Sequence, residues 1–459
     1  MVVKIMLINN FINACENDGS VGITHFICVS QNNILAHYCR KPYRMDSLKL
    51  FFSMTKSISS LAVGIASDLN LLNIDDFIYT YFEDDLPPAP HNNLFKIKIR
   101  HLLTMSSGIH DNTYDDLVKQ KNWIKAFLKQ DFPHDPGAFY RYSTHSSHML
   151  SALITKVSGL SLEDFLNKYL FYPLNIYEAQ WELSPEGLTA GGMGLSLHPT
   201  SLAKIAQMLL NHGIYCGKRI ISQDYLQYAA TPNIAKQDTR IDEDIEYSGT
   251  EYGFQFHIGK DGFYRADGAF GQLCLICPSK NLAFIVFSQY SKMENLLKLL
   301  YKHFLENDKQ IEIQNQKTSD RIPSQAIIVP EAKYEIEENI LGIKLLEFSR
   351  TDNVNLMKII KECGREDYIY YNFSAETQGN MYFVKDLQEH YQQYVCYANY
   401  SDLLELNIFF IETPYVVKYR ISFMASKIEL NFSINVSFTL KDFSVQGVPC
   451  SLTEVKHIP

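Results

Sequence analysis

Ser53-Met-Thr-Lys56 sets a hydroxyl and an amine three residues apart. On a helix that spacing puts both on one face, so the amine can lie beside the hydroxyl and take its proton. A lysine does this best where burial lowers its pKa. A serine at the start of the helix also has its backbone amide at the positive end of the helix dipole, where an oxyanion is stabilised. The chemistry implied is nucleophilic attack by serine and transfer of an acyl group. Taken alone the spacing is weak, because ordinary residue usage gives about two Ser-x-x-Lys matches in a chain of this length. A second match, Ser201-Leu-Ala-Lys204, falls in an amphipathic stretch. The competing reading makes Ser53 a helix N-cap and leaves Lys56 in solvent.

Two later segments bear on that choice. In Pro136-Gly-Ala-Phe-Tyr-Arg-Tyr142-Ser-Thr144, Tyr142 follows a Pro-Gly turn and precedes an amphipathic helix. A phenol there can relay a proton to a leaving group. In a chain with 29 tyrosines, a core aromatic is the alternative. Ala266-Asp-Gly268-Ala-Phe-Gly271-Gln272 is a Gly-spaced turn into a strand, able to offer a backbone N–H as a second oxyanion donor or to serve as a plain hairpin. His145 and His148 lie one helical turn apart, but with no third ligand nearby in sequence they read as helix residues supporting the site rather than as a metal centre. His110 and Asp111, after the Ser106-Ser107-Gly108 turn, are placed to line a pocket mouth. No GxSxG, Walker or HExxH motif competes.

The elements that must position these residues follow from periodicity. A helix over about 3–15 leads to strands at Ile23–Val29 and Ile34–Tyr38, joined by the polar Gln31-Asn32-Asn33 turn. Small and apolar residues at helical spacing over Met54–Ala66 predict the helix that carries Lys56. Residues 96–230 are mostly helical, 252–290 turn to strand in three runs, and a last helix spans about 291–306. The economical way to bury both ends is one antiparallel sheet with helices on its faces. A charged, amide-rich stretch at 307–324 reads as a linker. Alternating runs at Ile421–Met424 and Ile428–Phe438 then predict a small antiparallel β domain over 325–459. The expected fold class is α+β, with domains at 1–306 and 325–459.

Composition narrows the function classes. With 46% hydrophobic and 20% charged residues over 459 positions, the chain is globular. A formal charge of −9 argues against a phosphate-tracking surface, so no nucleic-acid partner is expected. Nine cysteines lack the dense spacing of a secreted disulfide framework. Cys274 and Cys277, three apart on a strand, face opposite sides and read as buried thiols. No apolar run reaches the roughly 18 residues of a membrane span, and the N-terminus shows no signal-peptide h-region. A reduced, cytoplasmic protein without a membrane partner is the expectation.

In type and order, the three catalytic segments resemble the serine β-lactamase and penicillin-binding-protein superfamily. The resemblance is to the branch of class C β-lactamases, DD-peptidases and related esterases. It extends to Leu102-Leu-Thr-Met-Ser-Ser-Gly108, Phe171-Tyr-Pro-Leu174 and Ala190-Gly-Gly-Met-Gly194, and covers about residues 15–305. It implies Ser53 as the acylated nucleophile, Lys56 as its base and Tyr142 as the proton shuttle. The oxyanion hole would be the amides of Ser53 and Ala269, with Thr144, Asp267 and Gly268 at the substrate. No metal or cofactor is implied. Two positions depart from the pattern: Thr144 stands where the branch has Asn, and Ala266 where it has the Lys or His that recognises a substrate carboxylate. Ser53, Lys56 and Tyr142 all survive, which favours catalysis. The expected function is a serine hydrolase acting through an acyl-enzyme on a small ester or short peptide-like amide. The alternatives are a D-amino-acid peptidase or weak β-lactamase, and a non-catalytic scaffold that binds a ligand or self-assembles.

Overall fold

A computed structural model describes residues 2–111, 114–237, 245–306, 329–351 and 354–450. The chain divides into two compact units, one of residues 1–40 and 45–315, the other of 41–44 and 316–459. The stretch expected as a linker, 307–324, lies outside the described residues.

The first unit is built on an eight-stranded antiparallel sheet. From one edge its strands run Ile34–Cys39, Val21–Val29, Leu282–Ser291, Gln272–Cys277, Tyr264–Gly268, and then three two-residue strands at His257, Glu251 and Ile234. The start and end of the unit are therefore neighbours, as the burial argument required. Every residue of Val21–Val29 is buried because both faces are covered. On one face Ile27, Val29, Ile285 and Phe287 join a core with the helices Met54–Asp68, Thr144–Ser158 and Pro199–Leu210. On the other, Phe26, Cys28, Phe284 and Val286 pack under the Val2–Asp18 and Met293–Leu300 helices. A register shift around Gly22–His25 lets Val21 and Ile23 share the second face with Phe26 and Cys28, which strict alternation would forbid.

Cys274 belongs to the first core and Cys277 to the second, so the pair does point to opposite faces. All nine cysteines are free thiols. The last helix is shorter than its apolar spacing suggested: it ends at Leu300 and continues as a wider π-type turn over Tyr301–Leu305. No helix among the described residues is long and apolar enough to cross a membrane.

The second unit is an antiparallel β domain, as expected: its described residues form one ten-stranded sheet. Strands follow one another as a meander, and Phe443–Pro449 returns to pair with the first strand, Ala332–Ile336. The two ends of the sheet, Glu366–Tyr371 and Thr377–Val384, are consecutive in sequence and are joined by side chains rather than a ladder. Tyr394 Oη accepts from Tyr370 N and donates to Tyr368 O at 2.9 Å each, and Asp367 Oδ1 accepts from Tyr382 N at 3.1 Å. The sheet is thus barrel-like. Strict alternation of buried and half-buried residues along Leu404–Phe410 gives it an apolar interior.

Candidate active site

Ser53 sits at the mouth of the Met54–Asp68 helix, at the end of a tight approach. Phe51 N donates to Leu195 O, and Phe52 adopts φ 48°, a left-handed conformation that a bulky side chain rarely takes. Strain of this kind persists only where surrounding packing dictates it. Phe52 is buried, edge-on to the Phe270 ring at 5.4 Å. Three i→i+3 bonds then wind the chain into the helix: Met54 N to Phe51 O, Thr55 N to Phe52 O, and Lys56 N to Ser53 O. Ser53 occupies the N-cap position but its side chain makes no capping bond. Its hydroxyl is directed to Lys56 instead.

Lys56 is 1% exposed, so the reading that leaves it in solvent fails. Its Nζ lies 3.0 Å from Ser53 Oγ, donates to Gly192 O at 2.8 Å, and stands 4.9 Å from the centre of the Tyr142 ring. The Gly191-Gly192 turn reaches the amine because it has no side chains. A Cβ on Gly192 would lie 2.6 Å from Thr144 Cγ2 and 2.7 Å from Thr144 O, and one on Gly191 would lie 2.5 Å from Ser147 O. Ser59 Oγ donates to Gly191 O at 2.6 Å, so this turn ties the helix bearing Lys56 to the one that follows Tyr142.

Tyr142 closes the third side. Burial pushes its phenol well above the ordinary tyrosine pKa, a hydrogen bond with Ser53 partly opposes this, and the charge of Asp267 adds to it. Tyr142 is therefore a protonated phenol at neutral pH. Its position is fixed from behind by Met105, which has φ 57° and whose carbonyl accepts from Arg141 N at 2.8 Å. Gln255, also at positive φ (62°), locks that segment in turn. Its Nε2 donates to Leu102 O and Leu103 O at 2.9 Å each, and its Oε1 accepts from Ser147 Oγ at 2.6 Å. Ser57 Oγ donates to Gln255 O at 2.5 Å. Through its side-chain amide and its backbone carbonyl, this one buried residue links the Leu102–Gly108 landmark to both site helices. Nothing in the sequence marked Gln255.

The Ala266-Asp267-Gly268 strand end flanks the serine. A Cβ on Gly268 would lie 2.4 Å from Phe51 O and 3.4 Å from Met54 N, so this turn abuts the backbone on both sides of Ser53. The amides of Ser53 and Ala269 accordingly belong to two segments in contact. Ala266 is buried in the helix-side core. Asp267 Oδ1 lies 3.1 Å from His257 Nε2, and Oδ2 lies 3.0 Å from Arg265 Nε. Burial raises the Asp267 pKa, but His257 and Arg265 outweigh it and hold the carboxyl well below the usual range. Burial also pushes His257 down, against the pull of the Asp267 carboxylate that its Nε2 faces. Its ring lies 6.3 Å from that of Tyr142, nearly parallel to it. Arg265 and His257, like Gln255, were not marked by the sequence reading.

Thr144, the first residue of the Thr144–Ser158 helix, packs on Gly192. Behind it, His145 and His148 face the Trp123 ring edge-on at 5.1 and 5.0 Å, and His148 Nε2 lies 3.2 Å from Glu186 Oε1. Burial, with His148 and Lys56 nearby, pushes His145 down to about 3. Both histidines support the site helix, in line with the sequence reading. His110 and Asp111 line a cavity of about 450 Å³ with Gln130, Asp131 and His134, whose walls do not include Ser53, Lys56 or Tyr142.

A serine hydroxyl, a buried amine and a phenol converge, beside a turn carrying backbone amides. The model of the β-lactamase family matches residues 16–302, well over half of the chain. The chain belongs to the β-lactamase family. Its fold is that of β-lactamases and penicillin-binding proteins, and the family's members include serine hydrolases of esterase, amidase and penicillin-binding types. A β-lactamase of Yersinia enterocolitica is 25% identical over 137 residues, 30% of this chain and 34% of that protein. The chain spans only 34–55% of the length of the curated relatives it matches. Among solved structures, EstCE1, described as a hydrolase with promiscuous acyltransferase activity, superimposes with a TM-score of 0.55 at 15% identity, covering 66% of this chain and all of that one. The octameric penicillin-binding protein homologue of Pyrococcus abyssi has a TM-score of 0.52 at 16% identity and covers 96% of this chain and 99% of its own. The latter likeness extends through the second unit as well.

Proposed function

We propose that this chain is a serine hydrolase that acts through a covalent acyl-enzyme on a small ester or a peptide-like amide. Residues 1–306 would carry the reaction, with 325–459 as an added β domain. Ser53 Oγ attacks the substrate carbonyl carbon while the uncharged form of Lys56 takes its proton. The developing oxyanion is met by the amides of Ser53 and Ala269. Tyr142, held protonated, hands its proton to the leaving group and recovers one from Lys56. Water then repeats the sequence on the acyl-enzyme, and Thr144, Asp267 and Gly268 border the substrate. The reaction calls on no metal or cofactor, and its setting is taken to be cytoplasmic.

The observation that supports this reading is the 3.0 Å contact between Ser53 Oγ and the Nζ of a lysine that is 1% exposed. A capping serine and a solvated lysine would give neither. The test is release of p-nitrophenol from a short-chain p-nitrophenyl ester. Wild-type protein turns it over and Ser53→Ala does not; equal rates for the two, with Ser53→Ala folded, would reject the reading.

A further inference from the structure

The first unit offers a second feature at the same cleft: an ion cluster at the strand end beside Ser53. Asp267 is held on both carboxylate oxygens, by His257 Nε2 and Arg265 Nε. Arg265 is itself 4% exposed and its Nη1 donates to Ser248 O at 2.7 Å, so its charge is turned inward. Asp267 keeps 18% of its side chain exposed, and its partner His257 lies beside Tyr142 with the two ring centres 6.3 Å apart. Position 266, one residue earlier, is an alanine sealed in the core. Lys236 also acts on Asp267, and its amine donates to Gly249 O at 2.6 Å. The third segment thus carries a carboxylate one residue before the glycine that abuts the Ser53 backbone, with Arg265 as its counter-charge.

We infer that Asp267, fixed between Arg265 and His257, sets the substrate class of this site: it disfavours acyl substrates that carry a carboxylate beside the scissile bond and admits those with an uncharged group there. The inference rests on the hydrolytic reading proposed above. An incoming carboxylate would meet a fixed like charge in a half-buried setting, where screening is weak. It would also find Arg265 already bonded at Nε and Nη1. An uncharged amide or ester group meets no such repulsion.

The test uses the full chain and two butyryl esters, one of lactate and one of lactamide, which differ only in a carboxylate against an amide on the leaving-group side. Each kcat/KM is divided by the uncatalysed rate of its ester. The lactamide ester is expected to lead by at least about tenfold, equivalent to about 1.4 kcal/mol. Asp267→Asn, which leaves the charge of Arg265 unopposed, should bring the ratio close to one. A wild-type ratio near or below one overturns the inference, as does an unchanged ratio in Asp267→Asn that melts like wild type. If neither ester is turned over, the hydrolytic reading fails and binding decides the inference on its own. Calorimetry on Ser53→Ala should then show the lactamide ester bound more tightly, and equal or tighter binding of the lactate ester, or binding of neither, overturns it.

Discussion

Replacing Gly192 with alanine perturbs the site through one added carbon. The new Cβ would stand 2.7 Å from Thr144 O, whereas ordinary contact begins near 3.4 Å. Thr144 opens a 15-residue helix whose next turns are buried, so the glycine turn, not the helix, must yield by about 0.7 Å. The same displacement carries the 2.8 Å bond from Lys56 Nζ to Gly192 O towards about 3.5 Å, the edge of hydrogen bonding. Overpacking of this kind costs about 1–3 kcal/mol of stability. Loss of the bond that fixes the amine should slow acylation at least about tenfold, or about 1.4 kcal/mol of barrier. Urea denaturation reads the first quantity, and stopped-flow release from an activated ester reads the second. Gly159→Ala is the control: it caps the same helix at φ +70° with nothing within 4 Å of its Cβ, so it carries backbone strain alone. It should lose about 1 kcal/mol and acylate like wild type. Wild-type acylation by Gly192→Ala would refute the claim that this carbonyl fixes Lys56.

Two other predictions concern the residues behind the site. Gln255→Leu removes the acceptor of the buried Ser147 hydroxyl and the second donors to Leu102 O and Leu103 O, which keep Met105 N and the residue-255 N–H, and should cost about 1–3 kcal/mol in urea unfolding; a loss below about 0.5 kcal/mol would contradict the clamp. His145, pushed down to about 3 from an ordinary 6.5, stays uncharged in the folded chain while the unfolded chain takes up a proton. Its share of stability is therefore complete above pH 6.5 and falls towards pH 3, by up to about 1.4 kcal/mol per pH unit. Glu186, lowered to about 2 by His148 despite its burial, adds a loss of the same sign between 4.5 and 2. His145→Phe should flatten the slope of unfolding free energy between pH 7 and 5, and an unchanged slope would show that His145 is not the group responsible.

The parts of this molecule readable in sequence are those that local patterning controls. Met54–Ala66 announces its helix because small residues recur on one face, and that helix runs to Asp68. The strand pair at the start and Leu282–Phe287 near the end could be joined into one sheet, since each needed the other to cover apolar faces. Ser53, Lys56 and Tyr142 were singled out by residue type, spacing and family resemblance, and the fold places their side chains together. Contacts made across long gaps left no such trace. The Lys56 bond to Gly192 spans 136 residues, and the three carbonyl and hydroxyl partners of Gln255 lie more than 100 residues away. His257 meets Asp267 through a strand only two residues long, too short to carry a period. The second unit was legible as antiparallel β but not strand by strand, because strands such as Glu389–Tyr400 are rich in Tyr and Gln. Tyrosines recur there at every third position, from Tyr391 to Tyr400, and so give no period of two. The run expected to Phe438 ends at Ile434, and Ile434 N turns to Asp442 Oδ1.

The central claim, that Ser53 is the acylated nucleophile, is tested most directly by intact-mass analysis after brief incubation with an activated ester and, separately, with a penicillin, followed by peptide mapping. The account predicts a one-acyl mass increase from the ester, located on the peptide that contains Ser53 and absent in Ser53→Ala. An adduct on another residue, or one that persists in Ser53→Ala, would contradict it.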